Sequence, residues 1–234
     1  MGDLADAFST AGHLILTRDP ALIAIVLLSL RVSLTAVVFA ALLGLPLVAA
    51  LALARFPGRG AVIVVLDAMM GFPPVVAGLL IYLLLSRAGP LGRFGILFTP
   101  AAMVAAQTFL VTPIIAALTR QVIEDLWREY RDQLRSLGAG AARAIPTLLW
   151  DARVSLATAV LAGFGRASAE VGAIIIVGGN IAGVTRTMTT AIALETSKGD
   201  LALALGLGLV LLTLTLAVNA VAHAAGHAAA RGIR

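Results

Sequence analysis

The chain has 234 residues, 60% of them hydrophobic and only 12% charged, with a formal charge of +5. Soluble domains carry about a quarter charged residues, so a water-soluble enzyme or binding module is excluded. With no cysteine, disulfides, thiolate metal sites and cysteine nucleophiles are excluded as well. The remaining class is a single all-α, polytopic membrane protein.

Residues 1–20 lack a basic lead and a clean cleavage site, and read as an interfacial segment rather than a signal peptide. A membrane helix needs about 20 apolar residues, at about 1.5 Å each across a core of about 30 Å. On that length the first span covers about 32–54, which leaves Arg31 and Arg55 at its two interfaces. The second covers about 61–86 and the third about 99–118, followed by a polar stretch over 119–153. The fourth covers about 154–177 and the fifth about 201–224, closing a transmembrane domain of 21–228 before a short tail at 229–234.

An odd number of spans puts the termini on opposite sides. Arg55, Arg59, Arg231 and Arg234, against an acid-leaning start with Asp3, Asp6 and Asp19, place the N-terminus outside. The C-terminus and the 119–153 stretch are then cytoplasmic, although Arg87 and Arg93 pull the other way. The positive charge is nearly all arginine, scattered over the loops rather than massed on one face. That pattern suits topology signals and lipid headgroups, not nucleic acid.

Pro73 and Pro74 interrupt the second span; they are either a packing kink or a point where freed backbone lines a pathway. Arg166 and Glu170, four apart in the fourth span, are expected to share a helix face, as a structural ion pair or a gate. Gly178, Gly179 and Asn180 end that span with residues that tolerate a left-handed turn. Thr185, Arg186, Thr189 and Thr190 follow, either as a solvated external loop with helix caps or as hydroxyls and a cation suited to an anion. Asp67 is expected to pair with a loop arginine, and His13, His223 and His227 are too scattered for a metal site.

In the polar stretch, Val122, Leu126, Tyr130, Leu134 and Leu137 recur at helical spacing. A break follows at Gly138-Ala139-Gly140, then a second helix up to Pro146. The bland alternative is an ordinary solvated loop. Asp132, Gly138 six positions on and Leu148 ten beyond that resemble the cytoplasmic loop of ABC importer permeases. The chain departs from that loop at Gln133-Leu134, usually a small pair, and at Trp150-Asp151, usually Leu-Pro. MGFPPVVAGLLIYLLLSRAGPLG (Met70 to Gly92) resembles the second span of the molybdate, sulfate and tungstate permeases. FGRASAEVGAIIIVGGNIAGVTRTMTTAIALETSKGD (Phe164 to Asp200) resembles the tungstate branch, through its Gly-Gly-Asn-Ile and Thr-Arg-x-x-Thr-Thr pieces.

The resemblance implies a transport subunit rather than an enzyme, in a prokaryotic inner membrane. It would carry a tetrahedral oxyanion, tungstate ahead of molybdate or sulfate. The implied partners are a second copy of the chain, two ATP-binding subunits and an extracytoplasmic oxyanion-binding protein. ATP and magnesium would sit on the ATP-binding subunits, with no cofactor on this chain. Coupling would fall to Asp132, Ser136, Leu137, Gly138, Ala139 and Gly140. The pathway or gate would include Pro73, Pro74, Gly78, Arg166, Glu170, Gly178, Gly179, Asn180, Thr189 and Thr190. An ion-coupled secondary transporter is the alternative from another class, for which the halves show no repeat. An intramembrane enzyme has no catalytic constellation here, and no phosphate-cradling Gly-Lys-Ser/Thr loop occurs.

Overall fold

The computed structural model describes residues 20–231 together with Ser9 and Gly12, and side chains as far as Val221 and at Ala224. The interfacial character expected of residues 1–20, the tail 229–234 and the three histidine side chains lie outside that description. Among the described residues all regular structure is helical: α1 (Pro20–Leu53), α2 (Arg59–Met70), α3 (Pro74–Leu85), a single 3₁₀ turn (Gly92–Phe94) and α4 (Pro100–Ser136). There follow α5 (Ala141–Asp151), α6 (Arg153–Ser168), α7 (Gly172–Gly178), α8 (Met188–Lys198) and α9 (Leu201–Arg231).

Among the described residues three helices are long and apolar enough to cross a membrane, within Pro20–Leu53, Pro100–Ser136 and Leu201–Val221; counting each bent helix pair as one span raises the total to five. The chain is a polytopic helical membrane protein. Its outward side chains agree: Leu42, Leu47, Leu212 and Leu216 are all more than 60% exposed, which suits lipid and not water.

Helix α4 is the centre of the molecule, touching α1, α2, α3, α5, α6 and α7. Between helices in hydrocarbon, burial offers little driving force, so close van der Waals packing through small residues carries association. The α1/α4 seam is built that way: Ala36, Ala40, Ala49 and Ala52 on one helix, Ala102, Ala106, Ala116 and Ala117 on the other, all buried. Two glycines permit tighter approaches. A Cβ on Gly78 of α3 would lie 2.8 Å from the Ala173 Cα of α7, and one on Gly163 of α6 would lie 2.8 Å from Ile115 of α4.

Five boundaries differ from the sequence reading. The first helix begins at Pro20 and carries Arg31 on an exposed side, because the apolar run has no breaker before residue 32. The second run is two helices bent by 103°: Gly71 closes α2, Pro73 is extended, and Pro74 opens α3 at the position where its missing N–H costs nothing. The third run and the amphipathic stretch are one 37-residue helix, since neither glycine nor proline separates Pro113 from Gly138. The following helix runs past Pro146 to Asp151. The fourth run stops at Ser168 and resumes at Gly172.

Candidate functional site

The break between α6 and α7 gathers most of the polar candidates. Arg166 lies in the last turn of α6 and Glu170 just beyond its end, so the two do not share one continuous helix face as their spacing suggested. They still pair, with the Arg166 guanidinium donating to Glu170 Oε2 at 2.6 Å. The Glu170 side chain is 3% exposed and Arg166 32%. The other carboxylate oxygen, Oε1, accepts the Ala173 N–H at 3.0 Å in the first turn of α7. Glu170 thereby holds the start of α7 while its charge is neutralised from α6. A buried carboxylate is tolerable only with such partners.

Two further elements fasten the same point. Thr189 of α8 donates its hydroxyl to the Glu170 carbonyl at 2.8 Å, and Gln107 of α4 donates to the Ala167 carbonyl at 2.9 Å. Thr185, Thr187, Thr189 and Thr190 are all buried, which corrects the solvated-loop alternative for this stretch. Their hydroxyls are used locally: Thr185 donates to the Gly178 carbonyl at 2.6 Å, and Thr187 and Thr190 form a reciprocal cap on α8. Gly179 and Asn180 both take positive φ, 72° and 50°, which reverses the chain between α7 and α8. Gly178 is buried against Met103.

A cavity of about 20 Å³ adjoins this seam, lined by Ser29, Ser33, Gln107, Ser168, Thr187 and Thr189 among others. It matches one water molecule and is far too small for a tetrahedral oxyanion. Gln107 was missed in the sequence, although a lone amide among apolar residues of the third run was a usable signal. Of the second-span candidates, Pro73 is exposed and Pro74 half-buried at the bend, whereas Gly78 is buried in the α3/α7 crossing. The seam is satisfied within one chain except at Gln107 Oε1, Asn180 Oδ1 and Arg186 Nε, which are buried without partners.

The other candidate region is a hairpin made by the end of α4 and α5. Its turn is a Schellman motif: the Ala139 N–H donates to the Leu134 carbonyl and the Gly138 N–H to the Arg135 carbonyl, both at 2.9 Å. Gly138 sits at φ +78°, which only glycine adopts freely. The inner faces pack Ile123, Ala144, Leu148, Ala152 and Leu156 against Ala49, Ala52 and Leu53 of α1. On the outer face Leu137 is 82% exposed and Trp150 72%, with the Arg153 guanidinium 5.1 Å from the centre of the indole ring. Asp132, Ser136, Gly138 and Gly140 are exposed beside them, and Ala139 is half-buried. Glu129, with help from Asp151, holds the Tyr130 phenol above its ordinary value.

Where α2 meets α4, Arg59 donates to Glu124 at 2.6 Å and Arg120 bridges Glu124 and Asp67 at 3.2 and 3.3 Å. Asp67 thus has its arginine.

No protein-family model matches the chain. Curated relatives do. It is 39% identical to the tungstate uptake system permease protein of Peptoclostridium acidaminophilum, over 93% of this chain and 96% of that one. The chain belongs to the ABC-transporter permease family, in its oxyanion group. A probable anion ABC transporter permease of Haloferax volcanii is 42% identical to this permease over 77% of the chain and 80% of the relative. The molybdenum transport system permease of Escherichia coli K12 is 31% identical over 71% and 76%. The alignment with the first of these runs through both the seam and the hairpin of the permease, since it leaves out only 7% of the chain by length. Membership also leaves the ion-coupled alternative without support.

Proposed function

We propose that this permease is the membrane subunit of an importer for a tetrahedral oxyanion, tungstate first, with molybdate or sulfate as the alternative cargo. The observation that carries the reading is near-complete alignment with a tungstate uptake permease. Two copies form the pathway between them: the described residues supply at most five spans, and the cavity at the seam, about 20 Å³, has no room for the ion. The broken spans at Gly71–Pro73 and at 169–171 are the segments able to re-aim backbone toward that pathway. Pro73, Pro74, Arg166, Glu170, Gly178, Gly179, Asn180, Thr189 and Thr190 position and brace it; the Arg166–Glu170 pair, being self-neutralised, works as a latch and not as an anion trap. Arg186, whose Nε is buried without a partner while its Nη2 donates to the Asn180 carbonyl at 3.5 Å, is a cation placed to receive an oxyanion handed over by an extracytoplasmic binding protein.

The α4/α5 hairpin docks on an ATP-binding subunit, one per copy, through Leu137 and Trp150, with Asp132, Ser136, Gly138, Ala139 and Gly140 shaping the contact. The N-terminus lies outside and the hairpin in the cytoplasm of a prokaryotic inner membrane. ATP and magnesium stay on the partner; closure of the ATPase pair draws the two hairpins together and turns the pathway outward. The test is uptake by proteoliposomes holding the permease, its ATPase and its binding protein. Expected is ATP-dependent tungstate accumulation, inhibited more by molybdate than by sulfate. Uphill uptake by the permease alone, driven by an ion gradient, would overturn the reading.

A further inference from the structure

A pocket of about 280 Å³ opens where the end of α1, the start of α2 and the middle of α4 converge. Its polar lining is Arg55, Arg59, Arg128 and Arg131 around one carboxylate, Glu124, with Trp127 alongside. That carboxylate is already saturated. Arg59 reaches it at 2.6 Å, Arg120 at 3.2 Å and Arg128 at 3.8 Å. Arg59 is further locked by donating to the Leu51 and Ala52 carbonyls, each at 3.1 Å. Arg128 also pairs with Asp125 at 3.0 Å and Arg131 with Asp132 at 3.2 Å, but these acids are 61% and 85% exposed, so solvent screens both pairs. Arg55 is exposed and enters no hydrogen bond or ion pair among the described residues. The pocket therefore presents unbalanced guanidinium groups to whatever fills it.

Its depth identifies the ligand. Counting about 20 residues of hydrocarbon from Pro100 ends the apolar part of α4 near Thr119. Glu124, Trp127 and Arg128 follow within the next turns, and α1 ends at Leu53, two residues before Arg55. The pocket thus lies in the headgroup layer. Exposed apolar side chains flank the pocket's first segment in the chain, Leu47 at 70% and Phe56 at 43%. An indole at this level is the usual interfacial anchor.

We propose that this pocket binds the phosphate of an anionic phospholipid headgroup, with Arg55, Arg128 and Arg131 as the ligating cations and Arg59 as the fixed floor. Placement on the cytoplasmic leaflet rests on the orientation proposed above; binding itself does not, and its readout needs neither transport nor ATP.

The experiment uses the full chain in neutral detergent with Trp150→Phe, which leaves Trp127 as the only indole of the two present. Phosphatidylglycerol should change its fluorescence saturably, and phosphatidylcholine of the same chains should not. Arg55→Ala and Arg131→Ala should each weaken the apparent affinity about fivefold, the equivalent of about 1 kcal/mol per charge. Arg55→Lys should restore most of the Arg55 loss, and raised salt should weaken binding. Equal response to both lipids, or affinity unmoved by both alanine variants and by salt, would overturn the proposal. So would full reproduction of the signal by inorganic phosphate, which would assign the site to a free anion. If an alanine variant aggregates, the lysine variant and the salt titration still decide.

Discussion

The seam at Glu170 and the hairpin at Gly138 are both built on broken helices, yet they treat their exposed groups in opposite ways. At the seam, four elements bring donors to one carboxylate and its neighbouring carbonyls, so that the break itself is satisfied within the chain. At the hairpin, the inner face is packed while a leucine and a tryptophan stand nearly free on the outer face. The first arrangement fixes geometry within a chain, and the second is incomplete without another protein. Substitutions at the seam should therefore act on folding, and those at the hairpin on coupling.

The largest effect is expected from Glu170→Lys. It places two cations at a point where the carboxylate is 3% exposed and removes the acceptor for the Ala173 N–H. Breaking a buried pair in this way costs about 3–5 kcal/mol, and the variant should fail to elute as a monodisperse species in detergent. Normal elution and transport would make the pair incidental. Next comes Gly78→Ala, whose Cβ would meet Ala173 backbone at 2.8 Å. Overpacking against backbone that cannot swing aside should cost about 3 kcal/mol, read as a lowered midpoint of thermal unfolding. Thr189→Val keeps the shape but orphans the Glu170 carbonyl. A loss of about 2 kcal/mol is expected, and an unchanged midpoint would show that α8 does not fasten the break.

How far these two regions could be read beforehand follows from where their information lies. The hairpin turn was legible because Gly138-Ala139-Gly140 is local punctuation, and the turn between α7 and α8 because Gly179 and Asn180 tolerate positive φ. The all-helical, polytopic class followed from apolar run lengths alone. The burial of Thr185 to Thr190 was not legible, since it depends on contacts such as Thr189 to Glu170, 19 residues apart, and Gln107 to Ala167, 60 apart. Periodicity carries no record of such pairs. The Arg166–Glu170 spacing was misleading in a specific way: an i,i+4 pair persisted although the helix beneath it had ended at Ser168. The fused α4 could have been read, because no breaker stands at residue 118.

Two substitutions separate the regions most sharply because their effects on stability are small. Gly138→Val introduces a Cβ that meets nothing within 4 Å, so its folding cost is that of a left-handed β-branched residue, about 1–2 kcal/mol. ATPase stimulation should nonetheless be lost, through a mis-set turn. The double variant Leu137→Ala, Trp150→Ala removes groups that are 82% and 72% exposed, and should leave the unfolding midpoint within about 0.5 kcal/mol of the parent. If the outer face is a docking surface, that near-silent variant should still cost at least tenfold in ATP-dependent uptake, because truncating aromatic and aliphatic anchors removes about 2 kcal/mol or more of binding. Retained uptake with retained stability would move the docking role off this face, and a stability loss equal to that at the seam would erase the distinction between the two regions.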